Sequence, residues 1–350
     1  MKRALTLAIT LLAFVAAPSS VFARATATSG NTTATVKSVS KAKAKKTVST
    51  KKKKMASAKK RKAVKAQRAV VRRASIQQLM GPPYTGGELN LRSASVMVVN
   101  QGTGELLYAK NPHMPAPIAS ITKLMTAMVV LDAGLPLQEE ITITSEDVDR
   151  LKGTGSRLSL GATLTREELL HLALIASENR AAAALSRAYP GGREAFIEAM
   201  NRKATQLGMH HTRFVDGTGL SSDNRSTAAD LVKLVDAAYR YPLIRKISTT
   251  GSYDLTLPVS KRVRHLAFNN TNLLTRKGDW EIGVSKTGYI SEAGHCLVMQ
   301  ASIAEQKVII VLLDSWGKLS RIGDANRIRQ WLEHTSTGGR MASRNGKASA

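Results

Sequence analysis

Apolar residues recur along this chain with two different periods, and the changes of period divide it. Residues 93–99 and 105–110 carry short strand-like runs on either side of Asn100-Gln101-Gly102-Thr103-Gly104, which reads as a hairpin. After Pro112, Pro115 and Pro117 the pattern lengthens, and residues 120–133 form a helix-length apolar segment closed by Gly134. Helical spacing then dominates residues 136–245. Thr165-Arg166-Glu167-Glu168 is a capping box and opens the helix expected to carry Ser177. Residues 192–207 form a helix stopped by Gly208, and residues 227–241 another. Strand patterns return at 281–289, 295–303 and 307–313, the last two joined by the turn Ala304-Glu305-Gln306. Residues 319–334 close the pattern as an amphipathic helix. Strands from both ends thus flank a helical stretch. The predicted fold class is α/β (α+β): an antiparallel sheet flanked by helices, with an inserted helical lobe. The sheet region is drawn from 88–135 and 246–334, the lobe is 136–245, and 335–350 reads as a disordered tail.

The opening stretch follows neither period. Lys2 and Arg3 precede an apolar run of 14 residues, 4–17, and Val21-Phe22-Ala23 offers a cleavage site. Residues 1–23 read as a secretory signal peptide, because the run is shorter than the ~20 residues that span a bilayer. A signal anchor is the alternative. Charge then separates a second segment. Of 52 Lys and Arg, 18 lie in residues 24–75, which hold neither Asp nor Glu, and two more lie before them. The other 32 face all 25 acidic residues, so most of the net charge of +27 belongs to this segment. Residues 24–78 are read as a basic disordered tether, leaving 79–334 as the folded domain. The tether is either a solvated spacer or a segment that binds an anionic envelope surface; export excludes nucleic acid as its partner. The mature chain is expected to be exported, soluble and not membrane-spanning. Its one cysteine, Cys296, sits in an apolar run and reads as a buried core thiol.

Candidate chemistry lies in three motifs in a fixed order: Ser120-Ile121-Thr122-Lys123, Ser177-Glu178-Asn179 and Lys286-Thr287-Gly288. Together they describe a serine acyl-transfer site with a lysine base. On a helix, residues three apart share a face, so Lys123 can reach the Ser120 hydroxyl. Lys123 serves as base only when neutral; burial and a nearby cation both lower a lysine pKa, and Lys286 is the candidate cation. Ser177 would pass a proton to the leaving group, and Asn179 would hold a substrate amide and orient Lys123. Gly288 within a strand allows close approach of an extended peptide, and the backbone N–H of Tyr289 would join that of Ser120 as an oxyanion hole. Lys286 and Thr287 would face the leaving-group side or a substrate carboxylate.

The Ser-x-x-Lys spacing also occurs at Ser38/Lys41, Ser40/Lys43, Ser49/Lys52, Ser57/Lys60 and Ser315/Lys318, but four of these lie in the tether and Ser315 has no companion motif after it. Ser222-Asp223-Asn224 is a serious rival for the second motif. Ser177 and Asn179 are preferred because they end an apolar, buried segment, where polar residues need partners or a site. The adjacent His210-His211 lacks the spacing of a zinc helix, so no metal and no cofactor are expected.

These residues resemble the penicillin-binding, serine D-alanyl-D-alanine peptidase family over about residues 88–334. Leu174-Ile175-Ala176-Ser177-Glu178-Asn179-Arg180-Ala181-Ala182-Ala183 looks like its D-alanyl-D-alanine endopeptidase branch, the penicillin-binding protein 7 type. Tyr189-Pro190-Gly191-Gly192, Asp216-Gly217-Thr218-Gly219-Leu220-Ser221 and Ala293-Gly294-His295-Cys296-Leu297-Val298-Met299 agree with that branch. The resemblance implies a periplasmic enzyme that β-lactams acylate, acting on peptidoglycan stem peptides and cleaving D-alanyl–diaminopimelate cross-links. A D-alanyl-D-alanine carboxypeptidase is the alternative within the class. A non-catalytic wall-binding or penicillin-sensing protein is the alternative outside it. The glutamate loop that drives deacylation in class A β-lactamases is not found after the second motif.

Overall fold

In the computed structural model, which describes residues 89–259, 262–317 and 319–347, the chain opens on the expected hairpin. The expected leader 1–23 and the whole of the expected tether 24–78 lie outside the described residues. Strands β1 (Ser93–Asn100) and β2 (Leu106–Lys110) pair antiparallel, Val96 opposite Lys110 and Val98 opposite Tyr108. After the short strand β3 (Ala116–Pro117), a single 3-10 turn, Ala119–Ile121, leads into helix α1 (Thr122–Asp132). Thr122 to Val130 of α1 are all buried. A helix apolar on every side belongs at the centre of a domain, and α1 lies there.

The lobe that follows contains β4 (Glu140–Thr142), β5 (Thr163–Thr165), α2 (Arg166–Ile175), α3 (Asn179–Arg187), α4 (Gly192–Gln206), β6 (Arg225–Ser226), α5 (Ala228–Tyr239) and α6 (Pro242–Thr249). The expected capping box starts α2: Thr165 Oγ1 accepts from Glu168 N at 3.1 Å, and Glu168 Oε2 accepts from Thr165 N at 2.8 Å. Ser177 is not on that helix, as the sequence pattern predicts, but two residues past its end, with φ 59°. α4 ends near Gly208, whose φ of +70° is the left-handed stop that glycine adopts without a Cβ clash.

A separate two-stranded ribbon, β7 (Ser252–Val259) and β8 (Arg262–Asn269), has no counterpart in the sequence reading. Its alternation is present at Tyr253, Leu255 and Leu257, but among its described side chains only Leu255, Leu257 and Phe268 are buried, and apolar Val263 is exposed.

The three C-terminal strands are β9 (Glu281–Ile290), β10 (Gly294–Ile303) and β11 (Gln306–Ser315), followed by α7 (Ser320–Lys347). The sheet order is β2-β1-β11-β10-β9 with every neighbour antiparallel, so β1 from one end of the domain lies against β11 from the other. Side chains alternate between two cores, as the two-residue strand period requires. Val298, Ile309, Val311 and Leu313 join the cluster of α1 and the lobe. Leu297, Met299, Ile310 and Leu312 pack with Ile322, Ala325, Ile328 and Leu332 of α7. Burial on both faces explains why β10 and β11 read as near-continuous apolar runs. The last helix runs past the predicted end at 334: no proline interrupts 319–347, and the expected tail is helical to Lys347.

Candidate active site

Ser120 sits in the 3-10 turn ahead of α1 rather than in the helix itself. Its neighbour Ala119 has φ 48°, a left-handed conformation costly for alanine that tertiary contacts must hold. Two glycines provide them. A Cβ on Gly219 would stand 2.0 Å from Ala119 O and 2.9 Å from Ser120 N. A Cβ on Gly288 would stand 2.8 Å from Ile118 O and 3.3 Å from Ser120 N. The sequence reading assigns Gly288's missing side chain to an approaching peptide. In the structure it makes room for the turn that carries Ser120, clamping that residue between β9 and the Gly217–Gly219 loop.

Lys123, one turn on, is fully buried beneath Ser120. Its Nζ lies 2.8 Å from Ser120 Oγ, 2.7 Å from Asn179 Oδ1 and 2.6 Å from Thr218 O. Burial lowers its pKa from 10.5 to about 7, against the opposing pull of the Asp216 and Glu178 carboxylates. Lys286 on β9 is also fully buried, and its Nζ donates to Ser177 Oγ at 2.9 Å and to Thr287 O at 2.9 Å. Its pKa is pushed well below the ordinary value, first by burial and then by the Lys123 and Arg321 cations. Burial is the first cause at both lysines, and the repulsion between them disfavours the doubly charged pair.

The left-handed turn at Ser177 brings its hydroxyl to Lys286, while Asn179 starts α3 and faces Lys123. The motif residues Ser177 and Asn179 thus bridge the two lysines. Thr287 Oγ1 donates to Thr271 Oγ1 at 2.7 Å. Tyr289 is exposed, its ring stacked on His295 with centroids 4.3 Å apart. Ser120, Ser177, Asn179, Thr287, Gly288 and Tyr289 all line one cleft of about 750 Å³. Arg276 and Arg321 extend it. Arg321 Nη1 donates to Gly288 O at 3.0 Å and Cys296 O at 3.1 Å, tying the first turn of α7 to β9 and β10. β9 is an edge strand, so the cleft side of its backbone has no strand partner within the sheet.

The rival Asn224 is more deeply buried than Asn179, so burial does not separate the two candidates. Their partners do. Asn224 Nδ2 donates to Thr122 Oγ1 at 3.1 Å and Asp216 O at 2.9 Å, and its Oδ1 accepts from Val215 N at 2.7 Å. It braces the underside of the Ser120 turn and does not line the cleft. Asp216 has a related task that the sequence reading did not assign. Its Oδ1 accepts from Thr218 N, Thr218 Oγ1 and Gly219 N at 2.6–2.7 Å, shaping the turn that offers Thr218 O to Lys123. An aspartate followed by Gly-Thr-Gly, as at Asp216-Gly217-Thr218-Gly219, is the signature of such a side-chain-capped turn, and that signal was available. Cys296 is fully buried, and burial pushes its thiol up to about 11, so it has no thiolate to offer near neutral pH.

A sequence profile of the family described as D-alanyl-D-alanine carboxypeptidase matches residues 82–317. The chain is 48% identical over 254 residues to a D-alanyl-D-alanine endopeptidase of Pseudomonas aeruginosa, covering 72% of this chain and 81% of that one. It is 47% identical over 249 residues to the D-alanyl-D-alanine endopeptidase of Escherichia coli K12, covering 71% and 80%. The crystal structure of the Streptomyces K15 DD-transpeptidase superposes with a TM-score of 0.65 at 30% identity, covering 69% of this chain and 97% of that one.

Proposed function

The chain belongs to the D-alanyl-D-alanine carboxypeptidase family, and on that basis we propose a peptidoglycan D-alanyl-D-alanine endopeptidase working through an acyl-enzyme on Ser120. The observation that carries this reading is Lys123: a buried amine with a pKa near 7, its Nζ 2.8 Å from a cleft-lining serine hydroxyl. A neutral lysine has two N–H groups and one lone pair. Asn179 Oδ1 and Thr218 O take the two N–H groups, which leaves the lone pair for the Ser120 proton. Ser120 Oγ then attacks the carbonyl of a D-alanine residue and its proton passes to Lys123. Backbone N–H groups of Ser120 and Tyr289 hold the oxyanion. The C–N bond breaks as the leaving amine takes a proton from Ser177, whose hydroxyl is supported by Lys286 and is restored by the proton that Lys123 took from Ser120. Water then hydrolyses the ester.

The substrate strand would add to the free edge of β9, with Thr287 and the basic groups Arg276 and Arg321 along its path. The endopeptidases at 47–48% identity favour a cross-link between D-alanine and diaminopimelate as the bond cut. Among the described residues no helix is long and apolar enough to cross a membrane. The apolar run 4–17 supports export, so we place the enzyme in the periplasm. A carboxypeptidase acting on terminal D-alanine uses the same chemistry. Product analysis separates them: an endopeptidase converts cross-linked muropeptide dimers to monomers, whereas a carboxypeptidase shortens pentapeptides and leaves dimers intact.

The test of the acyl-enzyme is the intact mass of the protein after incubation with penicillin, beside Ser120→Ala. One adduct on the wild type, absent from the variant, is expected. A folded wild type without an adduct would sink the mechanism and favour the binding-protein reading.

The pH dependence follows from Lys123. The base form accumulates as pH rises, so the second-order acylation rate should climb through a half-maximal point near pH 7 and flatten above it. Well below that point it should fall about tenfold per pH unit. Stopped-flow measurement with a chromogenic β-lactam checks this; a rate independent of pH between 5 and 8 contradicts it.

A further inference from the structure

The loop between β4 and β5 passes over the second motif, and one residue of it reaches Asn179. Asn179 Nδ2 donates to Thr154 Oγ1 at 3.0 Å. Thr154 Oγ1 in turn donates to Asp149 Oδ2 at 2.6 Å. Asp149 also accepts from the backbone N–H groups of Leu151 (2.8 Å), Lys152 (3.0 Å) and Thr154 (2.8 Å). Partial burial works against its charge, but these N–H groups and the Thr154 hydroxyl outweigh burial and hold the carboxyl below its ordinary pKa. Asp149 is therefore ionised across the working range and can only accept hydrogen bonds.

That fact fixes a direction. Because Asp149 is acceptor-only, the Thr154 hydroxyl must spend its one proton on it. What Thr154 then presents to Asn179 is a lone pair, which only the NH2 end of the carboxamide can meet. The carbonyl end is left facing Lys123, where it is found. A carboxamide turned end for end has almost the same shape, so packing alone cannot set this choice. Turned round, Asn179 would aim an N–H at the Lys123 lone pair and compete with the Ser120 proton.

We propose that Thr154 and Asp149 are positioning residues for the acyl transfer: they set the orientation of the Asn179 carboxamide and thereby keep the Lys123 lone pair on Ser120. This rests on the base role of Lys123 proposed above. The charged groups around Lys123 are Asp216 in the adjacent loop, Glu178 before α3 and Lys286 on β9. The relay enters from a fourth side, and the nearby Lys152 on the same loop is already paired with Glu292 at the β9–β10 turn.

The test compares Thr154→Val with Thr154→Ser in full-length protein, reading the acylation rate by a chromogenic β-lactam across pH. Valine keeps the shape and removes the acceptor. The plateau rate should drop roughly three- to tenfold, the worth of one neutral hydrogen bond. The acid limb should move to lower pH, because an N–H end facing Lys123 disfavours its cation. Serine should match wild type in both. In an Asn179→Ala background, Thr154→Val should have no further effect. If valine and serine behave alike, or the valine effect persists without Asn179, the relay is wrong. A merely loosened loop would admit water and move the acid limb upward instead, and that too overturns it. A wild type that forms no adduct removes the acyl-enzyme and the relay together; an acylated wild type with indifferent Thr154 variants removes the relay alone.

Discussion

Lys123→Ala should lower the acylation rate by about three orders of magnitude or more, and the protein should remain folded. A serine hydroxyl is a weak nucleophile without a base, and Lys123 is the amine held 2.8 Å from Ser120 Oγ. Folding should survive because a buried ammonium is expensive to desolvate; deleting it removes that cost and leaves Asn179 Oδ1 and Thr218 O to water. Lys123→Arg separates the two things a lysine can do. Arginine keeps a positive charge but cannot become neutral at working pH. If Lys123 acts as a base, arginine should be as inactive as alanine. Recovery of most of the rate in the arginine variant would mean that charge, not proton acceptance, is what the site needs. Penicillin acylation rates and melting temperatures of the three proteins decide between these outcomes.

Gly219→Ala should be the most damaging small substitution near the site. Its Cβ would meet Ala119 O at 2.0 Å and Ala119 C at 2.4 Å, both backbone atoms of the nucleophile turn. It also sits at φ +80°, where a side chain is strained whatever the space. Relief requires moving Ser120 or the loop that carries Thr218 O, so either stability or acylation must give. A loss of about 3 kcal/mol or more is expected, or a folded protein acylated at least about a hundredfold more slowly. Gly134→Ala is the control. It has φ +63° with nothing within 4 Å of the added carbon, so only the backbone strain of roughly 1 kcal/mol applies and acylation should be unchanged. Equal effects at the two positions would mean that the close approach at Gly219 is not what holds the turn.

Much of this architecture is legible in residue order because its signals are local. β10 and β11 announce themselves as apolar runs, since both faces of the sheet are covered. The helix α2 announces its start through Thr165 and Glu168, which satisfy each other's backbone within one turn. The β7–β8 ribbon does not announce itself, because its buried set is small and its strands pair only with each other. Ser177 is misplaced on a helix for a related reason. Nothing in Ile175-Ala176-Ser177 forces a left-handed turn; the hydrogen bond to Lys286, 109 residues away, is what that conformation serves. Asn224 against Asn179 is the sharpest case. Both are asparagines in Ser-x-Asn, and residue type and burial alike fail to distinguish them.

By itself, the order of residues determined the chemical inventory: a serine and a lysine three residues apart, a Ser-x-Asn, a Lys-Thr-Gly, and a sheet whose strands come from both ends of the domain. Such features follow from helical and strand periods, which act over a few residues. Only the tertiary structure decided that the Lys123 pKa falls to about 7, because that pKa depends on how completely the rest of the domain excludes water from it. Only the tertiary structure decided which asparagine faces it and which carbonyl caps it, through partners 56 and 95 residues away. Long-range contacts of this kind have no period to read, and in this site they turn a set of plausible residues into one arrangement able to transfer a proton.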